Sequence, residues 1–190
     1  MAPTASALGL VPRAEQGVTA WRNGGGVTRA LATCRRGGEV LWRVSIAHID
    51  RDGVFSPFPG LDRRLTLVAG HTLALTIDGH EYLVRCGCSI DFSGDADVSC
   101  TVPGGPVEAL NVMTRRGTPP RIPVDVPLDG TRGVRVAAGD LALLVSGATT
   151  VTVPGGAGAR HRMGALDALV PAAGADRWVT GAGRLLVVHC

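Results

Sequence analysis

Glycine and proline interrupt this chain at short intervals along its whole length, and that spacing limits what it can fold into. The 190 residues include 27 Gly and 12 Pro, and clusters such as Pro103–Pro106, Asp129-Gly130 and Pro154–Gly156 separate short apolar segments. Both residue types break helices and mark turns. Hydrophobic residues make up 45% of the chain, which is enough to bury a core. The spacing therefore predicts an all-β fold without long helices.

Alternation with a period of two residues identifies the strands. The clearest case is a hairpin, because His71–Ile77 and His80–Cys86 flank the dipeptide Asp78-Gly79, and a two-residue Asp-Gly connection is typical of β-hairpins. The register of this hairpin places Leu73 opposite Val84 and Leu75 opposite Tyr82. The further strand candidates are Val40–Ala47, Arg64–Ala69, Ser89–Phe92, Asp97–Val102, Val107–Met113, Gly133–Ala138, Leu141–Val145, Thr149–Val153, Leu166–Val170 and Arg184–His189.

A proline-rich segment predicts a division of the chain into two halves. Gly117–Asp129 contains four prolines, which restrict both themselves and the residues before them, so this segment is expected to be an extended connector. We place the boundary near residue 117. Residues 1–117 form the predicted first half, which carries the pocket. Residues 118–190 form the second half, which is expected to be structural or to form an interface, for example in a homodimer.

The absence of lysine excludes several classes of function. All 19 cationic residues are Arg, so Schiff-base chemistry, lysine general bases and the phosphate-binding P-loop are ruled out. The arginines are interleaved with 16 acidic residues, and only seven aromatic side chains are present. This pattern does not fit nucleic-acid binding, and no nucleic-acid partner is expected.

Neither a leader segment nor a disulfide framework is expected. Met1–Pro12 has no positively charged region, and no apolar run approaches the roughly 18 residues that a membrane span needs. Membrane association is therefore not expected. The cysteine count is odd, which does not favour a secreted disulfide scaffold, so a cytoplasmic protein with buried or half-buried thiols is predicted. The five cysteines are Cys34, Cys86, Cys88, Cys100 and Cys190.

The titratable residues form no recognisable catalytic or metal-binding motif. The five histidines are scattered, without H-x-H or H-E-x-x-H spacing, and there is no G-x-S-x-G turn for a nucleophilic serine. The sequence thus predicts no metal, no cofactor and no catalytic residue. The histidines are His48, His71, His80, His161 and His189.

Three consecutive glycines, Gly24–Gly26, mark the first candidate site. Each glycine gives up much backbone entropy on folding, so a triple needs a reason such as a positive φ or a close backbone approach. The phosphate-loop pattern is not matched. The chain contains two asparagines, and one of them, Asn23, directly precedes the triple. We expect these glycines to let the backbone pass close to a pocket that Asn23 helps to line.

Five segments, taken in order, resemble the successive motifs of the HutD/Ves family. This resemblance implies a cupin-like fold of two packed small β-barrel halves, a bicupin without the usual cupin metal ligands. It also implies an association with histidine utilisation, through binding of a pathway intermediate such as formiminoglutamate or urocanate, or with a response to stress. The segments are Trp21–Arg29, Leu41–Ala47, Asp52–Arg63, Phe92–Asp95 and Leu110–Arg116.

The chain departs from the family pattern just before Asn111. Family members commonly carry an Asp shortly before this Asn, whereas here Glu108, Ala109 and Leu110 precede it. Glu108 does not replace the missing carboxylate, because a shift of one residue along a strand reverses the face. The departure leaves the identity of the ligand open.

The candidate binding residues are those that suit a small carboxylate. Arginine offers charge-assisted, bidentate donors, so Arg43 and Arg63 are predicted to bind the carboxylate. Neutral hydrogen bonds are expected from Asn23, Ser45 and Asn111. Arg43 and Ser45 share one face of the predicted strand Val40–Ala47. The expected pocket wall consists of Trp21, Trp42, Phe55, Phe58 and Met113.

We therefore predict a non-catalytic protein that binds a small anionic metabolite and moderates histidine utilisation or a stress response. One alternative is a cupin-type enzyme, an isomerase or hydrolase that acts on a small carboxylate with His48 or His71 as its base, with or without a metal. Another is a regulator that binds only another protein.

Overall fold

The computed structural model describes residues 8–153, 160–172, 174 and 176–189. Within these ranges every regular element is a β-strand, apart from one 3₁₀ turn at Arg13–Glu15. The all-β prediction is confirmed. No helix in this part of the chain is long and apolar enough to cross a membrane. The predicted break at Pro154–Gly156 and the thiol of Cys190 lie outside the described residues. The prediction of buried or half-buried thiols holds for Cys34 and Cys100 and is wrong for Cys86 and Cys88, which are exposed.

The described residues form seventeen β-strands. In chain order they are β1 (Leu10–Val11), β2 (Val18–Ala20), β3 (Gly26–Arg36), β4 (Glu39–Ile49), β5 (Gly53–Val54), β6 (Leu61–Ala69), β7 (Thr72–Ile77), β8 (His80–Arg85), β9 (Ser89–Ser93), β10 (Val98–Thr101), β11 (Val107–Arg115), β12 (Pro123–Asp129), β13 (Val134–Val136), β14 (Leu141–Thr152), β15 (Arg160–Met163), β16 (Ala168–Leu169) and β17 (Arg177–Val188).

The first of two compact units is Gly17–Pro120. It contains a six-stranded sheet with the strand order β2-β3-β4-β11-β6-β9 and a four-stranded sheet with the order β5-β10-β7-β8. Strand β7 alternates buried apolar residues with more exposed ones, whereas β6 is buried on both faces from Leu65 to Val68. Both strands contribute side chains to the core. The core residues of these two strands are Leu65, Leu67, Leu73, Leu75 and Ile77.

The second unit consists of the described residues of Met1–Gln16 and Arg121–Cys190. Its seven-stranded antiparallel sheet is centred on the long pair β14 and β17. Residues 8–16 belong to this unit, whereas the predicted first half began at residue 1. The reason is a non-local pairing, since β1 pairs with β16 through Leu10 and Leu169.

The hydrogen-bonded order of the sheets is open in the part of the chain that the structure describes. The six-stranded sheet ends at β2 and β9, and the four-stranded sheet ends at β5 and β8. The two closed barrels that the family resemblance implied are therefore not confirmed as such. What stands is an all-β architecture of two units.

The predicted hairpin is confirmed, register included. Leu73 lies opposite Val84 and Leu75 opposite Tyr82. At the turn, Asp78 has φ +47° and Gly79 has φ +82°, which are the left-handed conformations that a two-residue hairpin turn requires at both central positions.

The predicted connector is in part a strand. Residues 123–129 form β12, which pairs with β17 along its whole length. This strand lies at an edge of its sheet, where a residue without an amide hydrogen costs little. That position explains how Pro123 and Pro127 are accommodated.

The glycine triple closes a hairpin between β2 and β3. Gly24 has φ +68° and its amide donates to the Trp21 carbonyl at 3.1 Å. A Cβ on Gly26 would lie 2.2 Å from the His48 carbonyl oxygen, so the neighbouring strand β4 passes too close for any side chain. A positive φ and a close approach thus account for two of the three glycines.

We expect Gly26→Ala to lower the free energy of unfolding by roughly 2–4 kcal/mol, because backbone atoms of β3 and β4 would have to separate. Chemical denaturation measures this loss. Gly25→Ala is the matched control, since the nearest atom to its added Cβ is the Asn23 side-chain oxygen at 3.4 Å, and a change within about 1 kcal/mol is expected there. Equal losses for both variants would contradict this account.

Candidate functional site

A cavity of about 440 Å³ opens in the Gly17–Pro120 unit. Three arginines line it, and no Asp or Glu among the described residues does. Aromatic and small polar side chains supply most of the remaining wall. The lining residues are Thr19, Ala20, Trp21, Arg22, Asn23, Thr28, Arg43, Ser45, Ala47, Val54, Phe55, Ser56, Pro57, Phe58, Arg63, Asn111 and Met113.

The pairing of three neighbouring strands places the polar residues in the cavity. Met113 of β11 lies opposite Arg43 of β4 on one side and opposite Arg63 of β6 on the other. Two residues along β11, Asn111 lies opposite Ser45. Because side chains alternate along a strand, all five share one face. The two arginines are thus about 10 Å apart at their Cα atoms, twice the spacing between strands.

Arg63 is the most unusual residue in the cavity. It is only 6% exposed, and its guanidinium donates to the Asn111 side-chain oxygen at 3.0 Å and to the Ser56 carbonyl at 3.4 Å. Its Nε is buried and has no hydrogen-bond partner. Burial and then the charge of Arg43 lower the pKa of Arg63 to about 10, so the group is still cationic at neutral pH.

Three phenylalanine rings surround this cation. The Arg63 Cζ atom lies 4.8 Å from the ring centroid of Phe92, 5.2 Å from that of Phe55 and 5.3 Å from that of Phe58. Aromatic faces attract a cation at these distances. Among the described residues, no carboxylate forms an ion pair with Arg63.

Arg43 is a second cation in the cavity without a described acidic partner. Its Cζ atom lies 5.7 Å from the ring centroid of Phe58, so one ring contacts both arginines. Burial, followed by the charge of Arg35, lowers the pKa of Arg43. The cavity thus holds two neighbouring positive charges, and Arg22 adds a third, exposed one.

Asn23 holds the loop between β2 and β3 in place. Its side-chain nitrogen donates to the Val54 carbonyl at 3.1 Å, and its side-chain oxygen accepts from the Gly25 amide at 3.0 Å. A Cβ on Gly53 would lie 2.9 Å from the Asn23 side-chain nitrogen, so the Asn23 amide would have to shift to accept a larger residue there. These contacts tie the β2–β3 loop to β5.

The aromatic wall is fixed by polar contacts at its edges. The Trp21 indole donates to the Thr28 hydroxyl at 2.8 Å, and its ring packs edge-on against Phe55 at 5.6 Å between centroids. The Phe58 amide donates to the Gly94 carbonyl at 2.7 Å. A Cβ on Gly94 would lie 2.3 Å from the Phe58 carbonyl oxygen. The loop that carries Phe58 therefore requires a glycine at position 94.

Surface ion pairs hold the same loop from outside. Arg116 binds Asp95 at 2.8 Å and Asp62 at 3.0 Å, and its backbone amide donates to the Gly60 carbonyl at 2.9 Å. The hydrogen bond from Arg116 is the largest cause that lowers the pKa of Asp95. These charged residues of the sequence motifs therefore support the wall without lining it.

The structure brings together all five residues predicted to bind the ligand, namely Asn23, Arg43, Ser45, Arg63 and Asn111, along with the wall residues Trp21, Phe55, Phe58 and Met113. It differs at Trp42, which does not line the cavity. Trp42 immediately precedes Arg43 in β4, and consecutive residues of a strand face opposite sides of the sheet.

Several lining residues were not named from the sequence. Thr28 follows Gly26 by two positions in β3, so the two residues lie on the same face of that strand. No candidate strand covered this segment. Arg22 and Ser56 stood inside motifs that the sequence did mark, but neither carried a signal of its own. The residues added by the structure are Thr19, Ala20, Arg22, Thr28, Ala47, Val54, Ser56 and Pro57.

The histidines proposed for the alternative enzyme lie elsewhere. The Nδ1 atom of His48 lies 3.3 Å from the carboxylate of Glu108. His71 is exposed, and its Nδ1 atom lies 3.4 Å from the Thr72 hydroxyl. Neither lines the cavity. In the described part of the chain, no group of three or more His, Cys, Asp or Glu residues is arranged to hold a metal ion.

Comparison with known families identifies the relatives of this chain. The model of the HutD family matches residues 13–187. The chain belongs to the HutD family. The resemblance stated from the five motifs is thus confirmed.

Two curated relatives of this HutD-family chain match over part of their length. One is an uncharacterised 21.2 kDa protein in the hutC 3′ region of Pseudomonas putida, 37% identical over 49% of this chain and 50% of the relative. The other is Protein Ves of Citrobacter koseri, 36% identical over 52% of this chain and 53% of the relative. The chain spans about half the length of these relatives.

Solved structures show the fold over nearly the whole chain. HutD from Pseudomonas fluorescens is 27% identical with a TM-score of 0.69, covering 94% of this chain and 96% of that one. A cupin-type conserved barrel domain protein from Leptotrichia buccalis is 12% identical with a TM-score of 0.57, covering 86% and 88%. The fold of the HutD-family chain is therefore cupin-like.

The departure at Ala109 lies in the hydrophobic core and not in the cavity wall. Ala109 is fully buried and lies between Ala47 and Leu67 on the neighbouring strands. Glu108 faces the other side, where it contacts His48. No carboxylate from this position reaches Arg63, in agreement with the expected reversal of faces.

We expect Arg63→Met to leave the free energy of unfolding of the ligand-free protein within about 1 kcal/mol of the wild type. The substitution removes the cost of burying a charge, which offsets the lost hydrogen bond to Asn111. Denaturant titration measures the difference. A loss of about 3 kcal/mol or more would show instead that the guanidinium is a structural group, because breaking a satisfied buried charge network costs that much.

Proposed function

We propose that this protein binds a small metabolite bearing a carboxylate and does so without chemical conversion. The observation that carries the proposal is the buried guanidinium of Arg63, which has an unpartnered Nε and no acidic neighbour among the described residues. Placing a cation in such a site is costly unless an anion completes it. A ligand carboxylate supplies that anion.

The dimensions and chemistry of the cavity support a small, partly apolar ligand. A volume of about 440 Å³ falls in the range of small-molecule sites. Arg43 and Arg63 present two cations to one space, while Ser45 and Asn111 offer neutral hydrogen bonds between them. Phenylalanine rings complete the wall. This arrangement favours a compact molecule with two anionic groups over one with a single carboxylate.

Family membership gives the biological context for the proposal. Members and relatives carry the names HutD, Ves and a protein in the hutC 3′ region. We propose that the chain moderates histidine utilisation or a stress response, with formiminoglutamate or urocanate as candidate ligands. We further propose that each unit represents one cupin-like half. The exposed free thiols of Cys86 and Cys88 suit a reducing, cytoplasmic location.

A thermal-shift screen tests the proposal directly. The purified protein is heated with histidine, urocanate, formiminoglutamate or other small mono- and dicarboxylates. A ligand present at 100 times its Kd stabilises the folded state by about 2.7 kcal/mol, which raises Tm. We expect formiminoglutamate, with two carboxylates, to give a larger shift than urocanate, with one.

Substitutions assign the shift to the cavity. Arg43→Ala and Arg63→Met should each abolish it. Arg64→Met is the matched control, because Arg64 is the next residue along β6, faces away and pairs with Asp91. Its response should equal that of the wild type. A shift that survives both cavity variants would place the binding site elsewhere.

One outcome would replace the proposal with the enzymatic alternative. If incubation with the protein converts a stabilising carboxylate into a product, at a rate that Arg63→Met lowers, the cavity is an active site. We expect the ligand to be recovered unchanged, as measured by nuclear magnetic resonance of the mixture.

A further inference from the structure

β8 is a free edge of the four-stranded sheet. It pairs with β7 on one side, and no described strand pairs with it on the other. The two-residue turn fixes the hydrogen-bonding pattern, so that alternate residues beginning with His80 direct their backbone groups to β7. The amide of Cys86, which donates to the His71 carbonyl, continues this pattern. The backbone groups of Glu81 and Leu83 therefore face outward.

Apolar side chains are exposed along this edge. Leu83 is 61% exposed and Tyr82 is 45% exposed. Natural proteins protect free edges with proline, with charged side chains or with a bulge. β8 has no proline and pairs with β7 without a register shift, and its two charged residues, Glu81 and Arg85, are of opposite sign. The edge is thus suited to accept another strand.

The charges on β8 select which strand it accepts. Glu81 lies two residues before Leu83 and Arg85 lies two residues after it, so all three side chains are on one face. Both charged residues are exposed, and neither forms an ion pair within the described residues. A strand that reads Arg, Leu, Glu in the antiparallel direction would match them, and β8 itself is such a strand.

We propose that this protein forms a symmetric dimer through antiparallel pairing of β8 with β8 of a second copy. The two-fold axis passes through Leu83, which lies opposite Leu83 of the partner subunit. Glu81 then lies opposite Arg85 of the partner subunit, and the symmetry repeats the pair on the other side. On the opposite face, Tyr82 lies against Val84 of the partner subunit, an aromatic and β-branched pair that favours strand association.

The neighbouring registers are less favourable. If the axis moves to Tyr82, Glu81 faces Leu83 of the partner subunit. If the axis moves to Val84, Arg85 faces that same leucine. Only the axis at Leu83 pairs both charges with opposite ones, and the isologous contact closes at two copies. The four-stranded sheet becomes a continuous eight-stranded sheet across the dimer.

Charge reversal tests both the surface and the register. Sedimentation velocity over a concentration series measures the Kd of the dimer for the wild type, Glu81→Arg, Arg85→Glu and the double variant. Each single change creates like-charge pairs across the axis, so the Kd should rise about tenfold or more. The double variant restores opposite pairs and should recover the wild-type Kd. Circular dichroism confirms that every variant is folded.

A disulfide distinguishes this register from other contacts. In the proposed register, Leu83 and Leu83 of the partner subunit form a hydrogen-bonded pair, because their backbone groups face each other. The Cα atoms of such a pair lie about 5.5 Å apart, within the range that a disulfide spans. In a Cys86→Ser, Cys88→Ser background, Leu83→Cys should form a cross-linked dimer under mild oxidation. Glu81→Cys is the matched control. In the proposed register, residue 81 lies opposite Arg85 of the partner subunit and not opposite residue 81, so this variant should cross-link far less.

Three outcomes would overturn the proposal. The first is a wild-type protein that remains monomeric at every soluble concentration. The second is a double charge variant that dissociates as readily as the single variants. The third is equal cross-linking of the two cysteine variants, which would indicate random collisions in place of a defined strand pair.

Discussion

The pairing of β11 with β4 on one side and with β6 on the other is the constraint on which the candidate site depends. This register brings Arg43 and Arg63 to either side of Met113, although the two arginines are 20 residues apart in sequence and belong to strands that do not pair with each other. A slip of one residue in either pair would turn one arginine to the opposite face of the sheet. The cavity and its charge are therefore consequences of strand order and register.

Burial of Arg63 sets the energetic character of the cavity. Taking a guanidinium out of water costs several kcal/mol, and here the compensation comes from Asn111 and from phenylalanine faces, without an acidic side chain among the lining residues. Such neutral groups lower the cost without cancelling the charge. The site consequently retains its positive charge.

Features encoded within a few neighbouring residues could be predicted from the sequence, and features that depend on distant pairing could not. The hairpin at Asp78-Gly79 and the shared face of Arg43 and Ser45 follow from turn chemistry and alternation alone. In contrast, β3 begins at the glycine triple and carries little regular alternation, so its strand character is decided by β4 beside it. The pairing of β1 with β16 likewise joins residues that are far apart in sequence, so no short segment of the sequence predicts it. The prediction for Trp42 is wrong because Trp42 is adjacent to Arg43 in β4, and strand alternation turns its side chain away from the cavity.

The sequence motifs divide by physical role, and this division explains why they extend beyond the cavity. Asn111 reaches the buried cation directly. Gly94 and Arg116 act indirectly, through the loop that carries Phe58. Gly94 leaves room for the backbone of that loop and accepts a hydrogen bond from it, and Arg116 forms two surface ion pairs beside it. Phe58 in turn contacts both cavity arginines. A change in the supporting residues would move the ring and alter the environment of both charges. The residues that line the cavity and the residues that support them therefore form one structural unit.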